Sequence, residues 1–343
     1  MTVTPTRPSG VSAATLGAIA AAASELDARP AFPTAAFQAL TADGALEMVG
    51  EPRAREWEAV RAVARADGSA GRLYEGHLNA AERLAIAAPE PLRTSELAAI
   101  CAGELWLGVW GADPAPGEGE PARLERGRLV GEKAFCSGAG GLHRALVLAR
   151  SSEGPPSLVY VDLEDAEVDD DWFRAGGMRA SVSHRVRFDT DVLAVLGEPG
   201  ELGREPWFSR DAMRTAAAWA GIADAAADAA RADLSARGAD DDLRALAVGR
   251  IQVARATIDR WMEHAAARAD AEPKADLRDL SVQMREAISI AGRTILDEAA
   301  RACGARPFAT GRPLDRARRD FELFVLQHRL DPMVARLGQA SLG

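Results

Sequence analysis

RLVGEKAFCSGAGGLHRALVLAR, from Arg128 to Arg150, holds two short alternating runs, Leu129 to Ser137 and Arg144 to Arg150, around the glycine-rich break Gly138-Ala139-Gly140-Gly141. Alternation interrupted by glycines predicts strand, turn, strand. With a period of two, Lys133, Phe135 and Ser137 share one face. An aromatic plate beside a hydroxyl donor suits a flat heteroaromatic ligand, while the same residue types also serve as the core and edge of ordinary strands.

Working outward, Leu105 to Trp110 is short and aromatic, and further strand-like runs follow at 122–137, 144–150, 157–163 and 182–189. No amphipathic helical segment separates them, so the pattern predicts a compact β module rather than βαβ units. Gly138 to Gly141 lacks the GxGxxG spacing and leads into a strand, which excludes a dinucleotide fingerprint. The acidic run Asp162 to Asp171 lacks the central Gly and closing Glu of a calcium loop and reads as a solvated connection.

Both flanks are helical. Before the β module come an Ala-rich helix from Ser12, a short helix after Thr34 as N-cap, long helices over 51–67 and 70–88, and a last one after Thr94 or Ser95. After it come four long segments, at about 209–237, 241–270, 275–304 and 314–338, which predict a four-helix bundle. The expected fold class is α+β, with an N-terminal helical domain (1–104), a central β-barrel-like module (105–200) and a C-terminal four-helix bundle (201–343).

A net charge of -10 over 343 residues argues against a nucleic-acid partner, whose binding rests on neutralising phosphates with Lys and Arg. Cys101, Cys136 and Cys303 form no CxxC pair, so neither a disulfide framework nor a metal site is indicated, and a reducing, cytoplasmic setting is expected. No long run of strongly apolar residues predicts a membrane span, and the Ala-rich start runs into the charged Glu25-Leu26-Asp27 rather than a cleavage site.

In the last segment, Phe321, Phe324, Val325 and His328 recur at helical spacing and form one stripe. His328 on that stripe is either a satisfied core histidine or a catalytic group. Asp211 and Arg214, three apart, are either an intrahelical ion pair or part of a site.

Several motifs in this order resemble the acyl-CoA dehydrogenase superfamily over nearly the whole chain. They are Leu26-Asp27 with Phe32-Pro33, then Gly131-Glu132-Lys133-Ala134-Phe135-Cys136-Ser137, then Gly177-Met178-Arg179-Ala180-Ser181 through Val186-Arg187-Phe188-Asp189, and finally Pro313-Leu314 to Arg319-Asp320. The resemblance implies a non-covalent FAD between the β module and the bundle. Phe135 would stack near the flavin ring, Ser137 would donate toward it, and the loop at Ala112 would lie beside it. Arg301 could reach a phosphate, and Arg237 would reach the pyrophosphate of a FAD bound mainly by a neighbouring subunit. Asp211, Met213 and Arg214 would line the substrate channel, and the assembly would be a homodimer or homotetramer.

Two departures from the family bear on function. Its usual catalytic Glu, eight residues after the Asp of the Arg-Asp pair, falls on His328, and the alternative Glu falls on Met213. Two of its loops are also altered: Ala112 to Gly119 lacks the Ser that contacts the thioester, and Arg301 to Phe308 lacks the glycine-dependent turn, although Arg301 and Arg306 would still reach a phosphate. Two activities are therefore expected. In the first, a dehydrogenase acts on CH-CH bonds of an acyl thioester or other small hydrophobic substrate, with His328 as base and an electron-transfer protein as acceptor. In the second, a monooxygenase takes reduced flavin from a reductase, with Ser137 and His328 assisting proton transfers. A flavoprotein of the same fold without catalysis is a third reading.

Overall fold

The structure, a computed structural model, describes residues 10–151, 154–236 and 241–342. Five helices come first: α1 (Ala13–Ala28), α2 (Thr34–Ala42), α3 (Arg53–Ala66), α4 (Gly68–Ala87) and α5 (Leu92–Ala102). The Ser12 hydroxyl caps α1 by accepting from Thr15 N at 3.1 Å. At α2 the expectation shifts by one residue: Pro33 is the N-cap and Thr34 is already helical. A single residue, Asp67, joins α3 to α4. Its N–H closes the last turn of one helix on Val63, and its carboxylate accepts from Ala70 N of the next at 2.8 Å. Gly103 stops α5 with φ +77°, a backbone state glycine reaches at little cost.

Eight strands follow: β1 (Leu107–Trp110), β2 (Arg123–Glu125), β3 (Arg128–Cys136), β4 (Arg144–Ala149), β5 (Ser157–Asp162), β6 (Glu167–Asp169), β7 (His184–Asp191) and β8 (Ala194–Leu196). They form two four-stranded sheets, β1-β4-β5-β8 and β2-β3-β7-β6, rather than one barrel. Among the described residues β1 and β4 pair in parallel and the other strand-to-strand ladders are antiparallel, with isolated parallel bridges at Pro121↔Glu132 and Arg123↔Arg150. The glycine turn after β3 thus carries the chain from one sheet to the other instead of closing a hairpin.

The acidic connection is not wholly solvated loop, because Glu167 to Asp169 pair with Arg185 to Arg187 as β6. Cross-strand charge complementarity holds it, with Arg185 Nη2 donating to Asp169 at 2.7 Å.

The last part contains α6 (Trp207–Ala236), α7 (Asp242–Ala271), α8 (Arg278–Cys303), α9 (Pro313–Phe324) and α10 (Asp331–Leu342). The alanine-rich α6 runs through the centre and is buried over most of its length. The fourth expected helix is broken. It ends at Phe324, tightens into a 3₁₀ turn over Val325–Gln327, and restarts at Asp331. Pro332 disfavours a helical Asp331 preceded by more helix and suits the first turn of a new one. Among the described residues no helix is long and apolar enough to cross a membrane.

Candidate functional site

One wall of the site grows out of an irregularity in β3. Its register with β7 runs evenly to Lys133↔Val186 and then jumps to Cys136↔His184, so β3 carries one extra residue. That bulge turns Phe135 outward. Its φ is +53° and it is 57% exposed, with its ring edge-on to Trp172 at 4.9 Å. Lys133 does not share this face, because the bulge breaks the alternation. It is buried, and its Nζ donates to Asp113 Oδ1 at 2.7 Å and to the Gly111 carbonyl at 3.1 Å.

Behind Phe135 lies a chain of three hydroxyls. Ser137 Oγ and Ser183 Oγ are 2.8 Å apart, as are Ser183 Oγ and Ser181 Oγ. The Ser137 carbonyl accepts from Trp110 Nε1 at 2.9 Å, and Gly138 N donates to the Ser181 carbonyl at 2.8 Å. Phe135, Met178 and Val182 are three of the four described non-glycine residues with positive φ, and all three border this patch. Strain of this kind costs about 1–3 kcal/mol per residue and gathers at ligand sites. The Nδ1 of His184, buried next to Ser183, has no hydrogen-bond partner.

The opposite wall is helical. Arg72, Leu73 and Gly76 of α4 line a narrow cavity with Leu107, Ser137 and Leu142. Arg72 therefore connects the hydroxyl patch to the C-terminal helices. One of its nitrogens donates to Glu75 at 2.5 Å, and its guanidinium lies 5.9 Å from the Phe324 ring. Trp219 of α6 is edge-on to Phe324 at 6.2 Å and 5.4 Å from the His328 ring. Its buried Nε1 is unpartnered.

His328 is not on the helical stripe expected from its spacing. It stands after the 3₁₀ turn in extended conformation, φ -106° and ψ 113°. Arg285 of α8 approaches it, with Nη1 3.3 Å from His328 Nδ1. A guanidinium can only donate, so Nδ1 accepts and the ring is neutral with its proton on Nε2. Burial, then the charges of Arg285 and Arg72, hold the His328 pKa down at about 3. Burial likewise lowers Arg285, to about 10, against the pull of Glu205.

The remaining predicted residues lie in other surroundings. Arg214 is fully buried and donates to Glu56 at 2.5 Å, to Glu82 at 2.7 Å and to Asn79, with Asp211 at 3.4 Å. Asp211 also accepts from Arg83 at 2.5 Å. Burial works to raise Glu82, but Arg214 and Arg53 overcome it and hold it near about 2. This network ties α3, α4 and α6 together, and Met213 is buried beside it. Ala112 is exposed, with its carbonyl accepting from Ala134 N at 3.0 Å. Arg301 pairs with Glu298 at 2.7 Å and stands about 24 Å further along α8 than Arg285, at about 1.5 Å per residue. Arg237 lies outside the described residues.

Two motifs noted separately in the sequence meet in space. Met178 N donates to Asp320 Oδ1 at 2.5 Å, and a Cβ on Gly177 would lie 2.1 Å from the Arg319 carbonyl, so only glycine fits there. Sequence reasoning missed Arg72, Arg285, Ser183 and Trp172. Ser183 sits two residues beyond a motif that was noted; the arginines look like any solvated helix charge. Among the described residues no cluster could hold a metal ion.

No protein-family model and no curated protein matches the chain. Solved structures do. An FMN-bound dibenzothiophene monooxygenase from Paenibacillus sp. A11-2 superposes with a TM-score of 0.82 at 21% identity, over 95% of this chain and 94% of that one. The methanesulfinate monooxygenase of Pseudomonas fluorescens gives 0.81 at 20%, over 96% and 95%. A nitrososynthase from Micromonospora carbonacea var. africana gives 0.79 at 23%, over 96% and 94%. The order of helices, strands and helices is consistent with the acyl-CoA dehydrogenase-like layout, and the chain has the fold of these enzymes.

Proposed function

We propose that the chain is a flavin-dependent monooxygenase that receives reduced flavin from a separate reductase. The observation that carries this reading is the contact of Arg285 Nη1 with His328 Nδ1 at 3.3 Å. Dehydrogenation needs a base at this place, and a histidine in that role takes up a proton and becomes positive. His328 is set against that, with its pKa held down at about 3 by burial, Arg285 and Arg72. Its other nitrogen already bears a proton and can only donate. A neutral donor beside two guanidinium groups suits a reaction in which negative charge develops on oxygen.

Phe135 and Ser137 would hold the flavin ring. Phe135 offers an exposed face held out by the bulge, and Ser137, backed by Ser183 and Ser181, offers a donor that can pass a proton along the hydroxyl chain. A reduced flavin bound there supplies two electrons, so that one atom of dioxygen enters the substrate and the other leaves as water. FMN is the cofactor we assign in place of FAD, since solved structures of two proteins of this fold carry it. The segment that resembles the FAD-binding glycine loop is replaced by a helix end and a 3₁₀ turn at Arg306–Phe308. A homodimer or homotetramer is also proposed. An apolar groove on α7 and α8, with Leu246, Val253 and Ile290 exposed, supports it, and light scattering reads the mass.

The test supplies the purified protein with FMN, NADH, a flavin reductase and ¹⁸O₂, and offers a panel of small aromatic compounds. The expected result is product carrying one ¹⁸O, strongly reduced in Ser137→Ala. Anaerobic bleaching of bound oxidised flavin by an acyl-CoA would replace this reading with dehydrogenation.

A further inference from the structure

Two glycines lie inside α4, Gly71 and Gly76. Glycine within a helix costs stability relative to alanine, so each calls for a reason. At Gly71 the reason is packing, since a Cβ there would lie 2.4 Å from the Ala64 Cβ of α3. At Gly76 that reason is missing. Apart from the helix's own backbone, the one described atom within 4 Å of a Cβ there is Arg72 Nη1, at 3.2 Å, the far end of a side chain that can shift.

What the missing side chain leaves is room. Gly76 and Arg72 line the narrow cavity, together with the apolar side chains of Leu73, Leu107 and Leu142 and with Ser137. The cavity has about 10 Å³ of free volume, the scale of one molecule as small as water or dioxygen. The charge in its lining is the guanidinium of Arg72, 12% exposed. Arg72 donates to Glu75, whose carboxyl group is pushed up by burial against the pull of Arg72 and Arg214. A partner driven toward its neutral form leaves the positive charge of Arg72 incompletely balanced.

We propose that this cavity holds dioxygen while it is first reduced, and that Arg72 is the catalytic residue that meets the resulting negative charge. Dioxygen takes one electron from reduced flavin and becomes superoxide; the flavin is oxidised by one electron, and no proton moves and no bond breaks. The leucines admit the neutral gas. A largely buried guanidinium stabilises the small anion far more than the neutral molecule, so the site favours the reduced form. Ser137 borders both the cavity and the patch beside Phe135. This rests on the monooxygenase reading for the supply of reduced flavin, while the anion site is a property of the protein alone.

The test has two arms, each run on the unmodified protein, Arg72→Met, Arg72→Lys and Gly76→Ala. In the first, crystals of the flavin-free protein are soaked in sodium bromide, a small monoanion, and its anomalous signal is read in the cavity. In the second, FMN-loaded protein is reduced anaerobically and mixed with dioxygen in a stopped-flow spectrometer. Bromide is expected in the unmodified protein and in Arg72→Lys, and in neither of the other two. Reoxidation should slow by about a hundredfold in Arg72→Met, the scale for removing a group that faces developing charge, and by less in Arg72→Lys. Gly76→Ala should slow it too while raising the melting temperature, which separates a filled cavity from a damaged fold. Water alone in the cavity of the bromide-soaked unmodified protein overturns the proposal. So does reoxidation at the unmodified rate in both Arg72→Met and Gly76→Ala. Reoxidation that depends on Arg72 but puts no ¹⁸O into any product would support the dioxygen site and overturn the monooxygenase reading alone.

Discussion

The amide of Met178 donates to the Asp320 carboxyl group at 2.5 Å, fastening the segment before β7 to α9 through an acid buried away from water. Burial, then the neighbouring Asp67, push Asp320 up to about 7, against about 3.9 in an unfolded chain. Folding therefore favours the protonated form. Its contribution to stability is complete below about pH 4 and is lost as pH rises through about 7. Asp320→Asn keeps the oxygen that accepts from Met178 but cannot ionise. Between pH 5 and 8 the melting temperature of the unmodified protein should fall relative to this variant; parallel profiles would remove Asp320 as the cause.

Phe135 offers a second test, because its backbone and its ring pull in opposite directions. A phenylalanine at φ +53° is strained, and glycine at that place is not. Phe135→Gly should raise unfolding stability by about 1 kcal/mol while weakening flavin binding by about tenfold, the worth of an aromatic stacking contact. Stability is read by urea denaturation and affinity by flavin fluorescence quenching.

For His328 the expectation concerns protonation. With its pKa held down at about 3 by burial, Arg285 and Arg72, the ring should stay neutral, with the proton on Nε2, from pH 8 to pH 5. Nitrogen NMR of labelled histidine reads this directly, and a ring that titrates near pH 6.5 would contradict it. His328→Ala should lower turnover by about a hundredfold, within the range for a lost proton donor.

Arg214 is expected to matter for stability first. Replacing it by Met leaves the buried Glu56 and Glu82 to Arg53, which should cost about 3 kcal/mol in chemical denaturation. Adding Glu56→Gln and Glu82→Gln to that variant should recover much of the loss. If the double addition recovers nothing, the cost lies in packing.

The sequence made the strands around Phe135 and Ser137 legible, because alternation and glycine breaks are local signals. It could not show the bulge, which depends on how β3 and β7 count against each other, and so it put Lys133 on the wrong face. The strand Glu167–Asp169 was hidden because its stability comes from arginines across the sheet rather than from its own residues. His328 kept a helical spacing that the chain abandons at Val325, where the tightened turn and Pro332 decide the backbone. Arg285 gave no signal at all. A lone arginine in a polar helix face reads as solvated, and its burial arises from tertiary packing that brings His328 and Met333 against α8.

From Gly68 to Leu84 every residue of α4 except Arg72 is buried. The helix faces the β strands, α3, α6 and the cleft at once, so it has no solvent side on which substitutions accumulate without penalty. In α7, by contrast, buried positions recur only at helical intervals. Outside the groove it shares with α8, α7 has exposed positions that can drift over evolutionary time, while α4 has none. Relatives too distant to align elsewhere should still be recognisable by this one helix, and the residue at position 72 is where they should diverge when their substrates do.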